Sequence, residues 1–222
     1  MGALEWMYAN RYNENSRKYD NWFDWELGSP MNLNDIMVMM YDTLTAEQIE
    51  RFSRPIPVFS PGILSSDTGA NHVWRATVLA LYGTLTKRVE SLETARDGLS
   101  QVFMYVAEGD GFYEDGSFIQ HNKHPYNGGY GRALLDSIAN IFVLLKGTPW
   151  EVTDPNKQNV YRWVTDSFEP LIYDGAFMDM VRGREVARSQ LQDNAADNSA
   201  ILAILKLSNA TSSAERLTLR GW

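Results

Sequence analysis

Residues 116–131, GSFIQHNKHPYNGGYG, carry His121, His124, Tyr126 and Tyr130 among four glycines. No hydrophobic period runs through the segment after Ile119, so packing does not explain its composition. Two imidazoles and two phenols in one glycine-rich stretch suit proton transfer: histidine titrates near neutrality, and a phenol takes the proton role when a neighbouring cation stabilises its anion.

Other segments offer complementary groups. In SSDTGANHVW, Asn71 stands just before an apolar helical period. It would either cap the helix or present its amide, at a helix N-terminus, to an anion such as a carboxylate. In DMVRGREVARSQ, Arg184 and Arg188 are four apart. On one helix face they would form a salt-bridged surface, clamp a carboxylate or sulfate, or stabilise a phenolate. Asp110, Glu114 and Asp115 lie close together in GDGFYEDG. They read as solvated turn carboxylates, a calcium site or a glycosidase pair, although the spacing is not that of an EF-hand. Trp22 and Phe23 are adjacent in DNWFDWELGSP; on a strand or loop they cannot both point inward, and one exposed ring would suit stacking on a sugar.

Amphipathic helices must hold these groups. Helical spacing covers residues 32–42 (Leu33, Ile36, Met37, Met40, Tyr41), 73–85 and 89–106. Thr45-Ala-Glu-Gln48 predicts a capping box opening a helix that Pro55 and Pro57 end. Residues 133–145 form a further apolar helix, Asp154-Pro155 caps one reaching Ser167, and residues 184–207 read as the last long helix. Strand signals are scarce, with Pro57-Val-Phe59 one short piece. The class is all-α, with helices paired as stacked hairpins. Function is expected in the long connections 52–71, 108–131 and 169–184.

Composition narrows the partners. The 222 residues bury a sizeable core, and seven Trp raise the aromatic share to 12%. A net charge of −8 argues against nucleic acid as a partner, while Arg184 and Arg188 supply a local patch for a polyanion. There is no cysteine, which excludes disulfides and thiolate metal sites. The first ten residues are no signal peptide, and Trp6 stands where a myristoylation signal needs Ser or Thr. No apolar run reaches membrane-spanning length, so the expectation is a soluble chain with no membrane partner. Leu217 and Leu219 begin a new apolar pattern close to the terminal Trp222, which suggests a chain cut from something longer.

Together these segments resemble polysaccharide lyase family 8, whose members cleave hyaluronate, chondroitin and xanthan. NWFDWELGSP, TGAN, GDGFYEDGSFIQH, GGYG and MVRGREVAR occur in the family's order and with similar separations, over nearly the whole chain. The resemblance implies one partial domain over residues 1–222, an incomplete α/α toroid of stacked helical hairpins, without the β-sandwich domains of a longer parent. It implies that Asn71, His121 and Tyr130 are catalytic, that Arg184 steadies the tyrosine, that Arg188 binds substrate, and that Trp22 and Phe23 form the aromatic patch. Phe23 stands where Trp is usual, and His72 where an arginine often follows the asparagine.

The implied reaction is β-elimination at a uronic acid in an acidic polysaccharide outside the cell, with no metal or organic cofactor. Asn71 would bind the carboxylate next to C5. Tyr130 would carry the C5 proton to the leaving oxygen, or His121 would take it with Tyr130 as the acid, or His121 would neutralise the carboxylate beside Asn71; His124 and Tyr126 would be bystanders lining the groove. Two rival readings are a glycoside hydrolase using Glu114 with Asp115 or Asp110, and an inert module that binds acidic glycan through Trp22, Arg184 and Arg188.

Overall fold

The computed structural model describes residues 2–190 and 192–211; the apolar pattern at Leu217, Leu219 and Trp222 lies outside the described residues. The chain is mainly helical, as expected, and contacts divide it into two compact units. One takes the residues up to Leu64 together with Trp74–Gly98, the other Ser65–Val73 together with the residues from Leu99 onward.

The first unit begins with helix α1 (Gly2–Asn10). Residues 22–39 are then helical throughout, with a π turn at Asp24–Gly28 leading into α2 (Ser29–Met39). Trp22 and Phe23 therefore open a helix instead of lying on the expected strand or loop. The predicted capping box is present: Thr45 Oγ1 accepts the Gln48 N–H at 3.2 Å, and Gln48 Oε1 accepts the Thr45 N–H at 2.9 Å. It starts α3 (Ala46–Ser53). Pro57-Val-Phe59 is helix, not strand. Pro55 lacks the N–H that a helix interior needs, yet its fixed φ suits a first turn, and it opens α4 (Pro55–Phe59).

Helix α5 (Gly69–Thr86) begins earlier than its apolar period, and only its part from Trp74 belongs to this unit, followed by α6 (Val89–Gly98). Leu33, Met37, Ile49, Phe52, Ile56, Val78 and Tyr82 are core residues, each burial contributing roughly 1.5–3 kcal/mol before conformational costs. A buried ion pair runs through it: Arg75 donates to Glu26 at 2.9 Å and to Ser60 Oγ at 3.1 Å, while Lys18 reaches Glu26 at 2.7 Å.

In the second unit the helix expected over 89–106 does not continue. It stops at Gly98, tightens into a 3₁₀ turn at Leu99–Gln101, and Val106 donates its N–H to Phe112 O at 2.9 Å. That bond draws the chain to an antiparallel sheet of β1 (Gly111–Phe112), β2 (Phe118–Gln120) and β3 (His124–Pro125). Gly111 faces Ile119, and Gln120 faces His124. The presumed irregular segment is thus largely a hairpin, with His121 at its tip. A π turn at Asn127–Gly131 leads into α7 (Arg132–Leu145).

Asp154 accepts the Asn156 N–H at 2.7 Å, capping the turn that precedes α8 (Gln158–Trp163). The pair β4 (Ile172–Tyr173) and β5 (Ala176–Phe177) closes through Asp174-Gly175, both at positive φ. Phe112 stacks on Trp163 with centroids 4.0 Å apart, and Phe118, Phe168 and Phe177 are fully buried around them. The last helix among the described residues, α9 (Asp193–Ala210), packs on α7. It does not include Arg184: Gly183–Ala187 is a 3₁₀ turn, Arg188 is extended (φ −97°, ψ 112°), and Gln192 is extended before the helix starts.

Candidate active site

Tyr130 sits in the π turn ahead of α7, a local widening common where a side chain must be re-aimed. Asn127, fully buried, holds that turn: its amide donates to Gly116 O at 3.0 Å and Ser167 O at 3.2 Å, and its Oδ1 accepts the Phe118 N–H at 3.1 Å. The glycines beside Tyr130 are required by packing. A Cβ on Gly128 would lie 2.7 Å from Arg182 Cγ, and one on Gly129 would lie 2.4 Å from the Tyr126 ring.

The Tyr130 phenol oxygen accepts a hydrogen bond from the Arg184 guanidinium at 2.6 Å. The imidazole of His121 stands edge-on to the Tyr130 ring, 5.1 Å between centroids at 88°. Tyr126 packs edge-on against Tyr130 as well, at 4.9 Å. His121 is exposed and has φ +56°, followed by Asn122 at +68°. Such left-handed positions cost of order 1–3 kcal/mol and persist where surrounding structure imposes them. Among the described residues the His121 ring makes no hydrogen bond, which leaves its nitrogens available.

Asn71 is not an N-cap. It is the third residue of α5, with its N–H bonded to Thr68 O at 3.1 Å, and its side-chain amide has no hydrogen-bonding partner among the described residues. The segment carrying it is tied to the His121 hairpin: Ala70 N–H donates to Gln120 Oε1 at 3.2 Å, and Thr68 Oγ1 donates to Asp110 at 3.0 Å. Asp110 also accepts from Gln120 Nε2 at 2.7 Å and from the Asn122 N–H at 2.6 Å. His72, next to Asn71, is buried with Nδ1 3.2 Å from Asp67 O.

Two sequence expectations change here. Arg184 and Arg188 do not share a helix face, because the turn between them is 3₁₀ and then extended; Arg184 meets Tyr130, while Arg188 donates to Glu185 Oε1 at 3.0 Å and stays half exposed. Tyr126 is no bystander in a groove. It is buried, and its oxygen accepts the Arg184 backbone N–H at 2.9 Å. Burial above all, eased by that N–H, raises its pKa and keeps it a neutral phenol.

Of the rival carboxylates, Glu114 is exposed, and Asp115 and Asp110 are engaged in hydrogen bonds. Asp115 accepts from the Ser117 N–H and hydroxyl, bonds that lower its pKa, and Asp110 is bonded on both oxygens. The bonds made by Asp110, Gln120, Asn127 and Tyr126 are not foreshadowed by any sequence motif. The only local signal was their nearness to His121 and Tyr130.

In the first unit, Trp22 is 45% exposed and meets Phe23 edge-on at 6.1 Å, and half-buried Phe23 leans on Trp74 at 5.5 Å. One ring of the pair is open to solvent. No helix among the described residues is long and apolar enough to cross a membrane.

Comparison with known proteins gives the chain its relatives. The chain is 45% identical over 210 residues to a xanthan lyase of Bacillus sp. (strain GL1), covering 93% of this chain and 22% of the relative. It is 40% identical over 204 residues to a hyaluronate lyase of Thermasporomyces composti, covering 91% and 26%. Among solved structures, a Paenibacillus xanthan lyase superposes with TM-score 0.93 at 46% identity, covering 99% of this chain and 21% of that one. A Streptomyces coelicolor A3 chondroitin AC lyase, in complex with chondroitin sulphate, gives TM-score 0.93 at 37% identity, with coverage of 98% and 31%. The chain thus spans a fifth to a third of these relatives' length. Residues 1–221 match the N-terminal alpha-helical domain of polysaccharide lyase family 8, and the chain belongs to that family.

Proposed function

We propose that this chain carries the catalytic helical part of a lyase that cleaves uronic-acid-containing polysaccharides by β-elimination. The observation that carries the reading is the Tyr130 phenol held 2.6 Å from the Arg184 guanidinium, beside the edge of His121. The family's members that the chain resembles are named for xanthan, hyaluronate and chondroitin, which supports an acidic polymer as substrate.

The chemical obstacle is charge. Removing the proton at C5 of a uronate places a second negative charge beside an ionised carboxylate. The Asn71 amide, free to donate at the start of α5, would bind that carboxylate and spread the developing enolate charge. A guanidinium donating to the Tyr130 oxygen stabilises negative charge on it, so the phenolate takes the C5 proton. The C5–H electrons form the C4–C5 double bond, the C4–O bond breaks, and the phenol returns its proton to the leaving oxygen. His121 serves as the alternative acceptor of the C5 proton, with Tyr130 then supplying only the acid. Arg188, half exposed, and the Trp22–Phe23 pair are assigned to substrate binding. The polymers concerned lie outside the cell, where we place the whole protein, with the further domains of a longer chain as its partners.

The test is ultraviolet absorbance of the chain with hyaluronate, chondroitin or xanthan oligosaccharides. A rising conjugated-enoate band, lost in Tyr130→Phe and Asn71→Ala, is the expected result and names the polymer. Saturable binding without a band from a folded chain would overturn the reading in favour of a glycan-binding module.

A further inference from the structure

The geometry points to Asp110 as the positioning residue that sets Asn71 and His121 in register with each other; the inference rests on the lyase reading for its catalytic consequence. We propose this role from one carboxylate's bonds. Its Oδ2 accepts from Thr68 Oγ1 at 3.0 Å and from Gln120 Nε2 at 2.7 Å, and its Oδ1 accepts the Asn122 N–H at 2.6 Å. Thr68 lies three residues before Asn71, and Gln120 and Asn122 flank His121. Gln120, fully buried, closes the ring by accepting the Ala70 N–H at 3.2 Å. The residue that would stabilise the enolate and one that would handle the proton are thus each one or two bonds from the same carboxylate.

Hydrogen bonds join these segments. A cavity of about 160 Å³ borders Thr68, Gly69, Asp110 and Gly111, so space is open on that side of the Thr68–Asp110 bond. The backbone they restrain is also strained. His121 and Asn122 both have positive φ, and a short charge-assisted bond to the Asn122 N–H holds the hairpin tip in that form. No neutral side chain of the same shape can replace the carboxylate. An amide at position 110 has one acceptor oxygen and must turn its NH₂ towards one of the three donors.

Two measurements test the proposal. In a ¹⁵N-labelled chain Asp110→Asn should move the Asn122 amide shift, because the bond to that N–H is lost. The same substitution should move the Asn71 side-chain amide and the His121 ring signals together. Thr68→Val, which removes one arm only, should move the Asn71 signals more than those of His121, and it serves if Asp110→Asn does not fold. Asn71 and His121 signals that stay in place in the folded variants overturn the proposal.

The second measurement is a kinetic cycle. Asp110→Asn should lower kcat roughly ten- to a hundredfold with little change in KM, and should cost less in a His121→Ala background and less in an Asn71→Ala background than in the unsubstituted chain, because each removes one of the two groups it positions. An equal loss in all three backgrounds shows general destabilisation and overturns the proposal. Absence of product from the unsubstituted chain sinks the lyase reading instead, and the resonance shifts still decide the role of Asp110.

Discussion

The buried phenol of Tyr126 accepts the backbone N–H of Arg184 at 2.9 Å, and Arg184 in turn donates to Tyr130 at 2.6 Å. Tyr126 is therefore the template for a contact it does not itself make. Its ring lies where a Cβ on Gly183 would come within 2.3 Å and one on Gly129 within 2.4 Å. Gly183 has φ +53°, a backbone that also favours glycine. The two bare backbones let the ring sit beneath both the Arg184 turn and the Tyr130 turn.

Tyr126→Phe keeps the ring and removes the acceptor. The Arg184 N–H then loses its partner at a cost of about 1–3 kcal/mol, and the guanidinium loses its anchor. The expected outcome is a lower melting temperature and a kcat reduced about tenfold, with KM nearly constant. Unchanged kcat in the folded variant would show that Arg184 finds Tyr130 unaided.

The Arg184 side chain makes a different prediction. Arg184→Ala removes the donor to the phenolate, an interaction realised mainly as charge develops, and should lower kcat by about a hundredfold or more. Arg184→Lys keeps the charge without the planar fork and should recover part of the loss. Steady-state kinetics on one oligosaccharide checks both. Equal activity in the alanine and lysine variants would argue against an electrostatic role.

Gly69 tests the opposite edge of the site. Its φ is +51°, and an added Cβ would lie 2.2 Å from Gln120 Oε1, the atom that accepts the Ala70 N–H. Gly69→Ala should therefore destabilise by about 1–3 kcal/mol through backbone strain alone, and more where Gln120 must move. Urea denaturation measures the loss, and proton exchange at the Ala70 amide should accelerate with it.

What the sequence shows depends on how far each interaction reaches along the chain. The Thr45–Gln48 box and the Asp154 cap join residues two or three apart, and both are visible as patterns. Arg184 and Arg188 look helical by spacing, yet the turn is decided by Tyr126, far earlier in the chain. Pro57-Val-Phe59 has strand composition, but Pro55 sets a helical first turn before it. Asp174-Gly175 is a hairpin signal without a period to support it, because the strands on either side are only two residues long. Asn71, His121 and Tyr130 could be picked out by type and motif. The atoms that hold them, on Asp110, Gln120 and Asn127, connect segments whose nearness no local pattern records.

The first unit carries a pH prediction. Glu26 is mostly buried, and burial alone would raise its pKa, but bonds from Lys18 and Arg75 outweigh that and leave it lowered. A carboxyl with a depressed folded-state pKa contributes stability above its unfolded value, near 4.3, and loses it as pH falls through the folded value. Glu26→Gln removes the carboxylate charge that Arg75 and Lys18 bind and should cost about 3 kcal/mol at pH 7. Near pH 3 the unsubstituted chain has begun to lose the same contribution, so the two melting curves should converge. A gap between them that is constant from pH 7 to pH 3 would show that Glu26 stabilises by packing and not by charge.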